Sequence, residues 1–201
     1  TLQGYMHSVS ILSNQMRSQL FSEKLKRDLQ GYHAIEVFRR HARQAPTDHP
    51  LSLVQYLDLK TYLVGDILTK VDRASMAHAL EVRVPILDHL LVDWISGLAP
   101  DLKLRGREGK YLFKKALEPL LPTDILYRKK MGFAVPLASW FKGPLREKVR
   151  ANLLSSEMLE SGLFNQRYLE TLVNQHQSGV RDNSASIWTL LMFHSFLKKH
   201  G

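Results

Sequence analysis

The chain has 201 residues, 44% of them hydrophobic and 23% charged, a composition that suits a soluble globular protein and excludes disordered and fibrous classes. With no cysteine it can hold neither a disulfide framework nor a thiolate metal site, and a reducing compartment, the cytoplasm, is the simplest expectation. The formal charge of +9 is concentrated: Lys103 to Arg150 carries thirteen basic and four acidic residues, the rest fifteen of each, so one segment forms a field that attracts anions. Apolar runs such as Trp188 to Phe193 fall far short of the roughly 20 residues that cross a bilayer. Thr1 to Gln19 lacks the pattern of a signal peptide, and the missing leading methionine points to a fragment or a processed product.

In chain order, Tyr5 to Leu29 carries helix formers with no proline and Gly31 behind them, which predicts one long helix. A second is predicted over Ile35 to Arg43, then a loop over Ala45 to Pro50. From Ser52 to Leu80 the pattern is helical, with Leu63, Ile67, Val71 and Ala74 on one face and Gly65 placed to bend or divide it. Pro85 breaks the chain, and Asp88 suits the N-cap of a helix from Leu90 to Gly97. Further helices are predicted at Gly109 to Leu120, Leu137 to Leu154, Gln166 to Gln177 and Asn183 to Lys199. The last is apolar nearly all round and reads as a core helix. Glu81 to Ile86, where Val82 and Val84 alternate with charges, is a short strand candidate. An all-α helical bundle, a single domain over 1–201 with an irregular loop from Tyr127 to Pro136, is the expected architecture.

Three constellations could carry chemistry. Asp72-Arg73 and Glu81-Val82-Arg83 set charges among apolar residues, where they must be paired or face a ligand; an Arg–carboxylate network pinning the helix end is the competing structural account. Tyr127 to Pro136 contains Arg128, Lys129 and Lys130, then a glycine and an apolar turn. That run can aim several cations at one phosphate-like charge, or else be a solvated basic stretch. Gly106 to Lys115 opens a helix with glycines and lysines, without the spacing of a phosphate-binding P-loop. Nucleophile-elbow, zinc-helix and dinucleotide-turn signatures are absent, and no metal-ligating set stands out among the nine histidines.

Taken in order, the runs Leu68-Thr69-Lys70-Val71-Asp72-Arg73-Ala74-Ser75-Met76-Ala77-His78, Leu80-Glu81-Val82-Arg83-Val84-Pro85-Ile86-Leu87-Asp88-His89 and Arg128-Lys129-Lys130-Met131-Gly132-Phe133, with Val135-Pro136 and Trp140, resemble the asparagine synthetase family. The resemblance spans about 51 to 199. It implies the C-terminal portion of an ATP pyrophosphatase-type (adenine-nucleotide alpha-hydrolase-like) synthetase domain. Such an enzyme uses ATP and magnesium to adenylate the aspartate carboxylate, then transfers glutamine-derived ammonia to form asparagine, AMP and pyrophosphate. By the same resemblance Lys130 is the catalytic cation, Arg128 or Lys129 assists with pyrophosphate, and Asp72, Arg73, Glu81 and Arg83 frame the substrate pocket or hold its walls. A cation aimed at charge that grows in the transition state suits that role.

The family's pyrophosphate loop and glutaminase cysteine are absent from the sequence, so the expected partners are the upstream half of the synthetase domain and an N-terminal glutaminase domain. Alone, the chain is expected to bind no cofactor tightly and to be inactive. Neither nucleic acid nor a membrane is an expected partner, and a homodimer is a further possibility. Two other functions compete: an amidotransferase of the same family acting on a sugar, peptide or lactam precursor, and a basic helical nucleic-acid-binding module. A purely structural module is a third reading.

Overall fold

A computed structural model describes residues 1–129 and 135–200. Its fold is all-α. The first helices are short: α1 (Leu2–Val9), α2 (Asn14–Leu20) and α3 (Glu23–Asp28). The single helix expected over 5–29 is thus cut into pieces. Ser13 and Ser22 do the cutting, because each is extended and turns its hydroxyl to accept an amide of the following turn, Met16 N at 3.1 Å and Leu25 N at 3.0 Å. Gln30 and Gly31 then take positive φ and end the run where the glycine predicts a stop.

α4 (Ile35–Gln44) and α5 (Pro50–Lys60) follow, the latter opened by a proline in its first turn. Beyond α5 the chain widens into a π-helical stretch, Leu63–Leu68, before α6 (Thr69–Met76). Thr69 Oγ1 donates to the Val64 carbonyl five residues back at 2.8 Å. A 3-10 turn (Pro85–Leu87) leads into α7 (His89–Ser96), capped by Asp88 as predicted: its Oδ1 accepts from Leu90 N at 3.0 Å and Leu91 N at 3.2 Å.

α8 (Pro100–Lys103) leads into the strands β1 (Leu104–Arg105) and β2 (Glu108–Gly109), an antiparallel hairpin with Leu104 opposite Gly109. Gly106 makes its turn at φ 60°. α9 (Tyr111–Leu117) and α10 (Thr123–Leu126) precede the basic run of the sequence. Past it come α11 (Leu137–Lys142), α12 (Arg146–Leu153), α13 (Ser156–Glu160), α14 (Gln166–Gln177) and α15 (Ser184–His200). The helix expected over 137–154 breaks at Gly143-Pro144, where φ −113°, ψ −109° is non-helical.

The described residues divide into two compact units, one formed by Thr1–Tyr5 with 35–129 and the other by Met6–Ala34 with 135–200. The second unit has a closed core. Leu20, Phe141, Val149, Leu153, Met158, Leu169 and Ile187 are buried together, so α2 and α11 through α15 share one interior. Phe21 and Phe164 form an isolated antiparallel bridge, with Ser22 N donating to Leu163 O at 3.0 Å and Asn165 N to Leu20 O at 2.7 Å. That fastens the early helices to the end of the chain. One face of α15 is buried through Ile187, Leu190 and His194, but Trp188, Met192 and Phe196 on the other are exposed. Its all-round apolarity thus overstated its burial.

The first unit is different. Tyr5, Ile35 and Leu57 are its buried apolar side chains among the described residues, and of these Leu57 alone is fully enclosed. Tyr5 packs edge-on against Phe38, ring centroids 5.8 Å apart, and donates to Asp58 Oδ1 at 2.8 Å, which pins the first residues to α4 and α5. Burial and that carboxylate push the Tyr5 hydroxyl up to about 12. From Tyr62 to Tyr127, by contrast, Met76, Leu80, Val82, Ile86, Leu90, Trp94 and Leu120 are all exposed. Burying one such side chain is worth roughly 1.5–3 kcal/mol, and this unit leaves most of that unrealised.

Candidate functional site

The described candidate residues all lie in the first unit. Asp72 and Arg73 sit on the exposed side of α6, with Arg73 Nε 3.9 Å from Asp72 Oδ2. After α6 the chain closes with paired bonds, Leu80 N to Ser75 O at 3.1 Å and Ala79 N to Met76 O at 3.0 Å, and Ala79 is driven to φ 54°. The backbone then runs on to Glu81 and Arg83, whose side chains meet at 2.7 Å, Arg83 Nε donating to Glu81 Oε1.

Both pairs are solvent-exposed, with side-chain exposures of 84% and 68% for Arg73 and Asp72 and 83% and 68% for Arg83 and Glu81. The expectation that these charges are enclosed by apolar residues is therefore corrected. The sequence places Val82, Val84 and Met76 beside them, but those neighbours are themselves uncovered. The ion pairs join residues within each run, not the helix end to the following segment, so no pinning network forms among the described residues.

Downstream, the chain entering the basic loop is firmly held. Tyr127 OH donates to Glu118 Oε1 at 2.7 Å, and the same oxygen accepts from Lys115 Nζ at 2.8 Å. Lys114, paired with Glu108, lies over the Tyr127 ring with its Nζ 5.0 Å from the centroid. The Glu118 hydrogen bond, with burial behind it, raises the Tyr127 hydroxyl's titration; Lys115 lowers that of Glu118 and is itself raised by it. Sequence reasoning missed this network. Its one visible signal was the Lys115 and Glu118 spacing of three on a helix.

Arg128 and Lys129 follow directly, exposed and without an ion-pair partner among the described residues. Lys130 lies outside the described residues. A pair of exposed cations behind an anchored tyrosine suits an anionic group. Among the described residues no cluster of three His, Asp or Glu could hold a metal ion.

The same unit contains an apolar cleft of about 310 Å³ walled by Ile86, Leu91, Trp94, Leu98 and Phe113, with Lys103 and Lys110 as its cations. Burial lowers the Lys103 titration, and its Nζ donates to Ser96 O at 3.0 Å. Lys110 caps α9 from a left-handed conformation, φ 59°. No described helix is long and apolar enough to cross a membrane.

Comparison of the sequence with known proteins identifies its family. The family model described as Asparagine synthase covers residues 2–198, and the chain belongs to that family. It is 33% identical to the glutamine-hydrolyzing asparagine synthetase 1 of Bacillus subtilis (strain 168) over 181 residues, 88% of this chain and 28% of that protein. It is 39% identical to the glutamine-hydrolyzing asparagine synthetase of Mus musculus over 91 residues, 42% of this chain and 16% of that one. An amidase of Penicillium rubens, chyE, is 32% identical over 143 residues, 67% of this chain and 21% of its own length. The chain thus spans less than a third of the length of each of these relatives. No solved structure matches it.

Proposed function

We propose that this chain is the helical C-terminal portion of the synthetase domain of a glutamine-dependent asparagine synthetase, acting over 1–201 as a single domain with the rest of a longer polypeptide. The observation that carries the reading is the exposure of the very run that resembles the family most closely. Met76, Leu80, Val82, Ile86 and Trp94 are apolar, close in sequence and open to solvent, as expected of a wall whose facing half lies elsewhere in the chain.

In the complete enzyme ATP with magnesium would supply the adenylate that activates aspartate, and ammonia released from glutamine by a separate glutaminase domain would take its place. The described residues support the electrostatic part of that task. Tyr127, braced by Glu118 and Lys114, holds the backbone from which Arg128 and Lys129 project, and Lys130 follows as the candidate catalytic cation. Fixed positive groups near developing negative charge are stabilising without reorganisation. Asp72, Arg73, Glu81 and Arg83, open to solvent here, are candidates for contacts with substrate or with the facing half. By itself the chain would bind nucleotide weakly and be inactive. Its place of action in this reading is the cytoplasm.

The test is a Lys130→Ala exchange in the full-length polypeptide, with both half-reactions measured. Amide synthesis should be abolished while glutamine hydrolysis persists; near-normal synthesis would remove Lys130 from the mechanism. Titrating magnesium-ATP into the 201-residue chain should give no micromolar binding. A second reading is transfer to a different carboxylate, since one relative matched over 67% of this chain is named an amidase and not an asparagine synthetase. A panel of aspartate, peptide, sugar and lactam-precursor acceptors with the full-length enzyme separates the two.

A further inference from the structure

The segment 80–84 runs outside any helix and alternates like a β-strand in sequence, and nothing among the described residues pairs with it. The decisive observation is the 2.7 Å contact between Arg83 Nε and Glu81 Oε1. Side chains two residues apart point away from each other on a helix and to the same side of an extended chain, so the contact places Glu81 and Arg83 on one face. Leu80, Val82 and Val84 take the other, exposed by 60%, 46% and 39%. Val84 itself is at φ −118°, ψ 89°.

The backbone tells the same story. Leu80 N is used by Ser75 O and Val84 O by Leu87 N, but among the described residues the amides of Glu81, Val82, Arg83 and Val84 enter no backbone hydrogen bond. A short extended run with an apolar face, a self-neutralised charged face and an unused row of amides is what an open sheet edge accepts. The hairpin of β1 and β2 pairs two residues with two, and 80–84 is not part of it.

We infer that residues 80–84 dock as an added edge strand on a β-sheet supplied by another segment of the same, longer polypeptide. The inference rests on the reading that this chain is part of such a polypeptide, whose B. subtilis relative has 72% of its length outside the matched stretch. The paired charges fit this occupant, since Glu81 and Arg83 already neutralise each other and need no counter-charge from a partner. Leu80, Val82 and Val84 would turn toward apolar cover.

Hydrogen exchange on the full-length polypeptide and on the 201-residue chain tests it. A strand at a sheet edge uses the amides of alternate residues, so either Glu81 and Arg83 or Val82 and Val84 should exchange at least about tenfold more slowly in the full-length protein, and the other pair should not. Val82→Pro and Arg83→Pro then form a matched pair: one should lower the full-length protein's melting temperature and the other leave it nearly unchanged. In the 201-residue chain neither should shift the melt appreciably, because no described backbone bond is lost and the Arg83–Glu81 pair that Arg83→Pro removes is exposed. Equal and fast exchange at all four amides, or tolerance of both prolines, overturns the inference. Protection that appears in the 201-residue chain as concentration rises would assign the strand to a second copy and overturn the named occupant. Should exchange stay fast while Lys130→Ala still abolishes synthesis, the edge strand falls and the enzymatic reading stands; protection with synthesis retained sinks only the latter.

Discussion

Tyr127 donates its hydroxyl to Glu118 Oε1 at 2.7 Å, immediately before the three consecutive cations of the chain. The hydrogen bond holds the phenol's proton, so Tyr127 should ionise at a pH above the ordinary tyrosine range. Glu118→Gln should bring that ionisation down toward the ordinary value, read from the phenolate absorbance against a Tyr127→Phe blank. On the proposed function, the same Glu118→Gln exchange in the full-length polypeptide should lower kcat for amide synthesis and spare glutamine hydrolysis.

A second expectation concerns acid stability. His176 is wholly buried in the second unit, its Nδ1 accepting from Asn183 N at 3.2 Å, with Asp182 Oδ1 at 3.5 Å. Nδ1 therefore lacks the proton, and Nε2 carries it. Burial lowers its titration, Asp182 opposes that and Lys142 adds to it. The unfolded ring takes up a proton near pH 6.5 while the folded ring resists, so stability is full above that pH and falls as pH drops below it, by at most about 1.4 kcal/mol per unit. Urea unfolding at pH 7.5 and 5.5 should show this loss, and His176→Gln should flatten it. An unchanged slope in that variant would assign the acid sensitivity elsewhere.

Ala79 occupies a left-handed position that closes α6. Glycine adopts that conformation without the steric penalty of a Cβ, although it also gains freedom in the unfolded chain. Ala79→Gly should stabilise the first unit by roughly 0.5–1 kcal/mol, read from a thermal or urea melt.

The two units should respond oppositely to truncation of an aromatic ring. Phe141 is 1% exposed, and Phe141→Ala should cost about 3–5 kcal/mol. Trp94 is 60% exposed, and Trp94→Ala should change the stability of the 201-residue chain by no more than about 0.5 kcal/mol. In the full-length protein the same Trp94 exchange should be clearly destabilising if that face is covered there.

Much of the architecture was legible where local chemistry decides it. α14 begins and ends at the predicted residues, Asp88 caps α7, and Gly31 follows a helix stop. Boundaries failed where two local signals competed. Ser13 and Ser22 are ordinary helix residues by composition, yet their hydroxyls serve backbone amides better as caps, and Gly143-Pro144 outweighs the apolar spacing on either side of it. The hairpin at 104–109 was not foreseen because strands of two residues carry no periodicity. Of the candidate site, the pairings of Asp72 with Arg73 and of Glu81 with Arg83 follow from adjacency. Their exposure could not be read from apolar neighbours, since apolarity does not say what covers a residue.

The π-helical stretch Leu63–Leu68 changes what the neighbouring stripe means. A regular helix advances about 100° per residue, so the stripe through Leu63, Ile67 and Val71 would return at Ala74. Within the wider turn the repeat from Leu63 to Ile67 spans four residues, and farther on, in α6, Ser75 rather than Ala74 is the half-buried residue. The coil thus takes up one surplus residue locally instead of passing it on as a rotation of everything after it. Excising Gly65 would let the coil relax to ordinary pitch and still leave Asp72 and Arg73 on nearly the side of the helix they occupy now, because the lost residue and the tighter turn offset each other.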